Sequence, residues 1–147
     1  MKKRSFITNS FEETRELGSK IASELTGGEV ICLYGDLGSG KTTFMQGFAK
    51  GLGVTKNVIS PTFIIMRTYT AAIKNKNIKT LYHLDLYRIQ TEQEAIDLGL
   101  LDLMGDKETV VAIEWPEKIE GILPDTVYTI SFEYLTDAVR EITVVSP

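Results

Sequence analysis

The 147-residue chain has one cysteine, one histidine and one tryptophan. A lone cysteine, Cys32, excludes an internal disulfide framework. A lone histidine, His83, excludes a metal site built from histidines. A strong excess of either charge is lacking too: 16 basic against 20 acidic residues leave a formal net charge of -4. No global positive field therefore recruits nucleic acid, and any RNA contact is local or made through a partner. No run is long and apolar enough to span a bilayer. The basic start Met1-Lys2-Lys3-Arg4 is not followed by the apolar stretch of a signal peptide. Repeats, linkers and low-complexity segments are lacking as well. With 43% hydrophobic residues, the expectation is one domain over residues 1–147, cytoplasmic and without a membrane partner.

What is present is Gly35-Asp36-Leu37-Gly38-Ser39-Gly40-Lys41-Thr42, the G-x-x-x-x-G-K-T pattern of a phosphate-binding P-loop, or Walker A motif. Its context carries as much weight as the match. Val30 to Tyr34 reads as a buried parallel strand before it. After it, Phe44, Phe48 and Leu52 fall on one face of a helix. Glycines let the backbone turn tightly and bring N–H groups close to phosphate oxygens. The helix start adds the positive end of its dipole. Lys41 supplies a point charge for the phosphates, and Thr42 a hydroxyl for a magnesium ion that also touches them. A glycine-rich turn at an ordinary strand–helix junction does not require Lys and Thr in this register. With Thr43, these residues are the expected nucleotide-binding set.

Along the rest of the chain, Ser5 to Thr8 reads as a short edge strand, and Ser10 with Glu13 as a capping box opening a helix that Gly27-Gly28 stops. Phe63 to Ala72 and Thr80 to Tyr87 read as extended runs joined by the polar turn 74–77, a hairpin. Glu92 to Met104 has a helical stripe interrupted by Gly99. Thr109 to Ile113 is a buried strand. Tyr128 to Tyr134 alternates, and Val139 to Val145 closes a C-terminal hairpin. The expected fold is α/β with three layers: parallel central strands carrying the nucleotide at their carboxyl ends, flanked by antiparallel strands and the C-terminal hairpin.

A P-loop needs an acid to hold or order the magnesium shell. Asp85 and Glu114 each close an apolar run, and a carboxylate directly after a buried strand matches a Walker B layout. Thr62, in Ser60-Pro61-Thr62, is a candidate switch residue placing a hydroxyl near the γ phosphate or metal. Trp115, beside Glu114, is a candidate for lying on the nucleotide or on a partner. His83 reads as a structural or hydrogen-bonding residue. Asp102-Leu103-Met104-Gly105 closes a helix rather than a strand. Asn75-Lys76-Asn77-Ile78 lacks the aspartate of a guanine-reading motif, so nothing supports GTP. The arginines, Arg4, Arg15, Arg67, Arg88 and Arg140, form no cluster in sequence.

The P-loop run, Ser60-Pro61-Thr62-Phe63, His83-Leu84-Asp85-Leu86-Tyr87-Arg88 and Glu114-Trp115-Pro116-Glu117 occur in that order. Together, from about Ser10 through Glu117, they resemble the TsaE (YjeE) family, the bacterial ATPase of tRNA threonylcarbamoyladenosine synthesis. Ser39 stands where many members have alanine. The resemblance implies a P-loop ATPase using ATP and magnesium. It would act with the TsaD–TsaB pair, which modifies ANN-decoding tRNAs, and reset that pair between turnovers, reaching tRNA only through the complex. Lys41 and Thr42 would hold phosphate and magnesium, and Thr62 would be the switch. Asp85 and Glu114 would be the metal- and water-ordering acids, with their division of labour open. The residues alone also fit a small P-loop metabolite kinase, or a nucleotide-gated binding module in which hydrolysis is incidental.

Overall fold

In the computed structural model, which describes residues 1–36, 38–61 and 64–147, seven strands form one sheet among the described residues. The strands are β1 (Lys2–Thr8), β2 (Val30–Tyr34), β3 (Met66–Thr70), β4 (Thr80–Asp85), β5 (Thr109–Glu114), β6 (Tyr128–Tyr134) and β7 (Arg140–Ser146). Their order is β1-β7-β6-β2-β5-β4-β3. Neighbours from β6 through β2 and β5 to β4 run parallel. The pairs β1–β7, β6–β7 and β3–β4 are antiparallel.

Two helices, α1 (Phe11–Ser23) and α2 (Lys41–Gly51), cover one face. They share a core with Ile31, Leu33, Leu81, Val110, Ala112 and Ile130. Residues on the opposite face, Val30, Cys32, Leu84, Val111 and Ile113, pack with α3 (Glu92–Asp97), α4 (Leu100–Leu103) and a 3-10 segment over Pro116–Ile122. Alternate residues of one strand thus serve opposite layers, as the period of two requires. This is the expected three-layer α/β arrangement with a parallel centre.

Three local readings change. The C-terminal hairpin does not merely flank the sheet, because its first strand, β6, pairs directly beside β2 in the parallel centre. The Glu92–Met104 pattern splits into two short helices at Gly99, whose φ of +84° suits glycine and not a helix interior. The first strand of the β3–β4 hairpin begins at Met66, because Ile65 has a positive φ of +68°; Phe63 lies outside the described residues.

Helix α1 is capped as expected: the Glu13 N–H donates to Ser10 Oγ at 3.1 Å, while Glu13 Oε1 accepts from the Asn9 N–H, one residue before the cap. Gly27-Gly28 lies past the helix end, and Lys76 reaches across to donate to the Ser23 and Leu25 carbonyls there. A cation at that end also opposes the helix dipole. Cys32 is fully buried, and burial pushes its thiol up to about 12, which makes it an unreactive core residue.

The two helices pack side by side through glycines. A Cβ on Gly47 would sit 1.9 Å from the Arg15 carbonyl oxygen, and one on Gly18 would sit 2.3 Å from the Phe44 carbonyl oxygen. Gly47→Ala gains about 1 kcal/mol of helix propensity. It forces backbone apart at a cost of roughly 1–3 kcal/mol or more. Overpacking wins, so thermal denaturation is expected to show a lower Tm. An unchanged or higher Tm would mean that the helices separate freely.

Candidate active site

The P-loop emerges from the carboxyl end of β2, and the two sequence-selected acids arrive beside it. Asp85 ends β4 and Glu114 ends β5, and they are Cα partners across the parallel ladder. Both are buried, at 5% and 4% exposure. Their strands are short and largely buried up to that point, so each carboxylate is delivered where the strand runs out of core.

The loop turns through Gly35, Gly38 and Gly40, with φ of +154°, +79° and +107°. Gly40 then opens α2, which has no side-chain cap and no acid in its first turn. Its orphan N–H groups and dipole are therefore left for an anion. Ser39 Oγ is buried without a hydrogen-bond partner among the described residues, so alanine at this position would lose no hydrogen bond to any of them.

Lys41 is 4% exposed, and its position is fixed from three sides. Its Nζ donates to the Gly35 carbonyl at 2.6 Å, lies 4.0 Å from Glu114 Oε1, and sits 4.6 Å from the centroid of the Trp115 ring. Trp115 adopts left-handed backbone, φ 60° and ψ 48°, which turns the chain directly after Glu114. Its ring also packs 5.1 Å from that of Tyr87. Trp115 therefore meets the site by way of Lys41.

Glu114 has a second partner that sequence reasoning did not assign to it. His83 is fully buried, and its Nε2 lies 2.7 Å from Glu114 Oε2. The carboxylate is thus held between an imidazole and an ammonium, the pairing a buried charge requires. The period of two along β4 contains this signal: His83 and Asp85 are i and i+2 on one face, and His83 stands opposite the small Ala112. On Asp85, Oδ1 accepts from the Tyr87 N–H at 3.0 Å.

A cavity of about 320 Å³ joins these groups. Gly38, Gly40, Lys41, Thr42 and Thr43 line it from the loop and α2, Asp85 and Glu114 from the strand ends, and Ser60 from the segment between α2 and β3. Asp36 and Ser39 face a neighbouring groove beside Phe132 and Tyr134. Leu37 and Thr62, the expected loop member and switch residue, lie outside the described residues. Two further residues line the cavity that were not selected from sequence: Phe11, the first residue of α1, and Arg140, the first residue of β7. The arginines, dispersed along the chain, do not all stay away from the loop: Arg140 Nη2 donates to the Gly38 carbonyl at 3.1 Å. A larger concavity of about 700 Å³ lies beside the second half of α2, lined by Arg15, Gln46, Lys50 and residues 53–58. It has neither the glycine loop nor a helix start, and it lacks the acids.

Among the described residues, no group of three or more His, Cys, Asp or Glu could enclose a metal by itself. Two carboxylates and the Thr42 hydroxyl are hard oxygen donors. That set suits magnesium, which commonly takes one or two carboxylates together with substrate phosphates and water.

The TsaE family model, described as threonylcarbamoyl adenosine biosynthesis protein TsaE, matches residues 8–142. The chain belongs to the TsaE family. A TsaE of Bacillus subtilis is 42% identical over 97% of this chain and 85% of its own length. One from Treponema pallidum is 36% identical over 94% of this chain and 97% of its own. Both are named tRNA threonylcarbamoyladenosine biosynthesis proteins. The crystal structure of Bacillus subtilis YdiB superimposes with a TM-score of 0.74 at 34% identity, covering 99% of this chain and 86% of that one. The TsaE match spans both acids, the P-loop and the Phe11 and Arg140 walls of the cavity. No helix among the described residues is long and apolar enough to cross a membrane.

Proposed function

We propose that this TsaE-family chain is a magnesium-dependent ATPase. It serves tRNA threonylcarbamoyladenosine modification in the cytoplasm and acts with TsaD and TsaB type partners to reset them between turnovers. The observation that carries the ATPase reading is the buried Lys41–Glu114–His83 chain, set beside Asp85 at the uncapped start of α2. The names of the relatives supply the pathway.

In this reading the N–H groups of residues 38–43 and Lys41 bind the phosphates. Thr42 and Asp85 hold the magnesium shell. Magnesium, when bound, neutralises charge developing on the phosphates. Glu114 orients the attacking water, because both of its oxygens already face partners inside the chain and fix its direction. His83 sets the orientation of Glu114, and Trp115 walls off Lys41 from solvent.

Trp115 is the only tryptophan, and its ring rests on the phosphate-binding lysine, so intrinsic fluorescence reports directly on the site. Titration with ATP is expected to change the signal of the wild type. Lys41→Ala is expected to weaken ATP binding with or without magnesium, while Thr42→Ala weakens mainly its enhancement by magnesium. Wild-type affinity in Lys41→Ala would remove the phosphate-binding reading.

A further inference from the structure

The concavity beside the second half of α2 has no part in the chemistry described above. It shares no lining residue with the nucleotide cavity.

Its charge sets it apart. The chain as a whole has a formal net charge of -4. Here no lining residue is acidic, and three are cations: Arg15, Lys50 and Lys56. They come from α1, from α2 and from the segment between α2 and β3, so tertiary packing gathers them. Gly47 lets α2 approach the Arg15 backbone. Gln46 and Lys50 stand one turn apart on the same side of α2. Gln46 Oε1 accepts from Arg15 Nε at 3.2 Å, which ties the guanidinium across the two helices. All three cations are exposed. Among the described residues, Lys50 and Lys56 form no ion pair. Arg15 has Glu12 at 3.8 Å, but that carboxylate is 77% exposed, and such a pair contributes little. Like charges gathered on one surface repel, and an anionic partner turns that repulsion into attraction.

The rest of the surface is apolar. Val54 and Val58, each 8% exposed, form the floor. Past Lys56 and Asn57, which line both, the concavity runs on into a second one of about 430 Å³ against β3, the outer strand of the sheet. This second concavity adds Arg67 and two exposed side chains, Ile59 at 56% and Ile64 at 53%, and it too has no acid in its lining.

The cations alone would suit a phosphodiester backbone or a run of carboxylates. The apolar side chains favour the second. A phosphodiester backbone has nothing to bury against Ile59 and Ile64, and bases need an accessible aromatic ring on which to stack. The aromatic side chain in these linings, Tyr69, is 5% exposed, and its hydroxyl accepts from the Ile59 N–H at 3.3 Å. We infer that the two concavities together form a docking site for an extended, acidic segment of a partner protein. Carboxylates of that segment sit among Arg15, Lys50 and Lys56, and its apolar side chains cover Ile59 and Ile64.

The test follows backbone amide chemical shifts of the isotope-labelled chain. One titration uses a synthetic peptide of alternating Glu and Val, and another an oligouridylate of equal charge. The peptide is expected to give saturable shifts centred on Lys50 and residues 54–58, weakening as salt is raised because exposed charges are screened. The oligouridylate is expected to give little response. Lys50→Glu with Lys56→Glu alters only exposed positions, so the core is spared. This double variant is expected to bind the peptide about tenfold more weakly or worse, since two attractions become repulsions. Lys107→Glu with Lys118→Glu makes the same change in net charge at exposed positions outside both linings and is expected to bind like the wild type. Shifts that are absent or centred elsewhere overturn the assignment. So does an equal loss in the two double variants, which would mean diffuse charge. Oligouridylate binding as tight as that of the peptide also overturns it, and would make this a nucleic-acid surface.

Discussion

Glu114→Gln is expected to bind ATP with near wild-type affinity and to hydrolyse it on the order of 10²–10³ times more slowly. The substitution keeps shape. An amide oxygen still accepts from His83 Nε2, so the 2.7 Å contact survives. The negative charge facing Lys41 and the water is lost. Because Glu114 is buried at the end of β5, solvent cannot replace that charge. The paired control is Asp85→Asn, expected to raise the magnesium needed for half-maximal turnover. Rapid-quench measurement of phosphate release under saturating ATP separates the two. Normal turnover in Glu114→Gln with a dead Asp85→Asn would exchange the roles of the acids.

The second large effect is expected from partners. The isolated chain should hydrolyse ATP slowly, and a purified TsaD–TsaB pair should accelerate it, toward the roughly 10³–10⁵-fold that an added cation at the transition state provides. The reason is a shortage of positive charge on the γ-phosphate side. Of the described residues lining the cavity, Lys41 and Arg140 are the cations. Arg140 is held by four backbone carbonyls. Arg88, just past Asp85, is engaged within the chain. Ile59 and Ile64 flank the Ser60–Phe63 segment, and Tyr87 packs on Trp115; all three are large apolar side chains more than half exposed. A partner seated on Tyr87 would cover the Trp115 wall as well. Isolated chain hydrolysing at full speed, unaffected by the pair, would point to a self-sufficient enzyme.

Much of this site was legible in sequence because its signals are local. A glycine-rich loop between an apolar strand and an amphipathic helix declares its position within about fifteen residues. Asp85 and Glu114 stand out because each interrupts a run of buried residues, and their adjacency follows once β4 and β5 pair in parallel. The β3–β4 hairpin is marked by its polar turn. What escaped depends on pairing between distant segments. Arg140 reaches Gly38 across 102 positions, and only because β7 and β6 are laid against β2. No local period encodes that order. The His83–Glu114 bond is diagonal between strands, so it needs the register as well as the alternation. The interruption that Gly99 makes in the Glu92–Met104 stripe is legible in sequence, but that it ends one helix and starts another depends on the positive φ that the backbone adopts there.

The account stands most directly on Lys41 as the phosphate-binding group of a hydrolytic site. The decisive measurement is phosphate release from magnesium–ATP, in the presence of the TsaD–TsaB pair, by the wild type and by Lys41→Ala side by side. The expected result is sustained release by the wild type, with no acceptor other than water, and near-background release by Lys41→Ala. Equal release by the two proteins would contradict it.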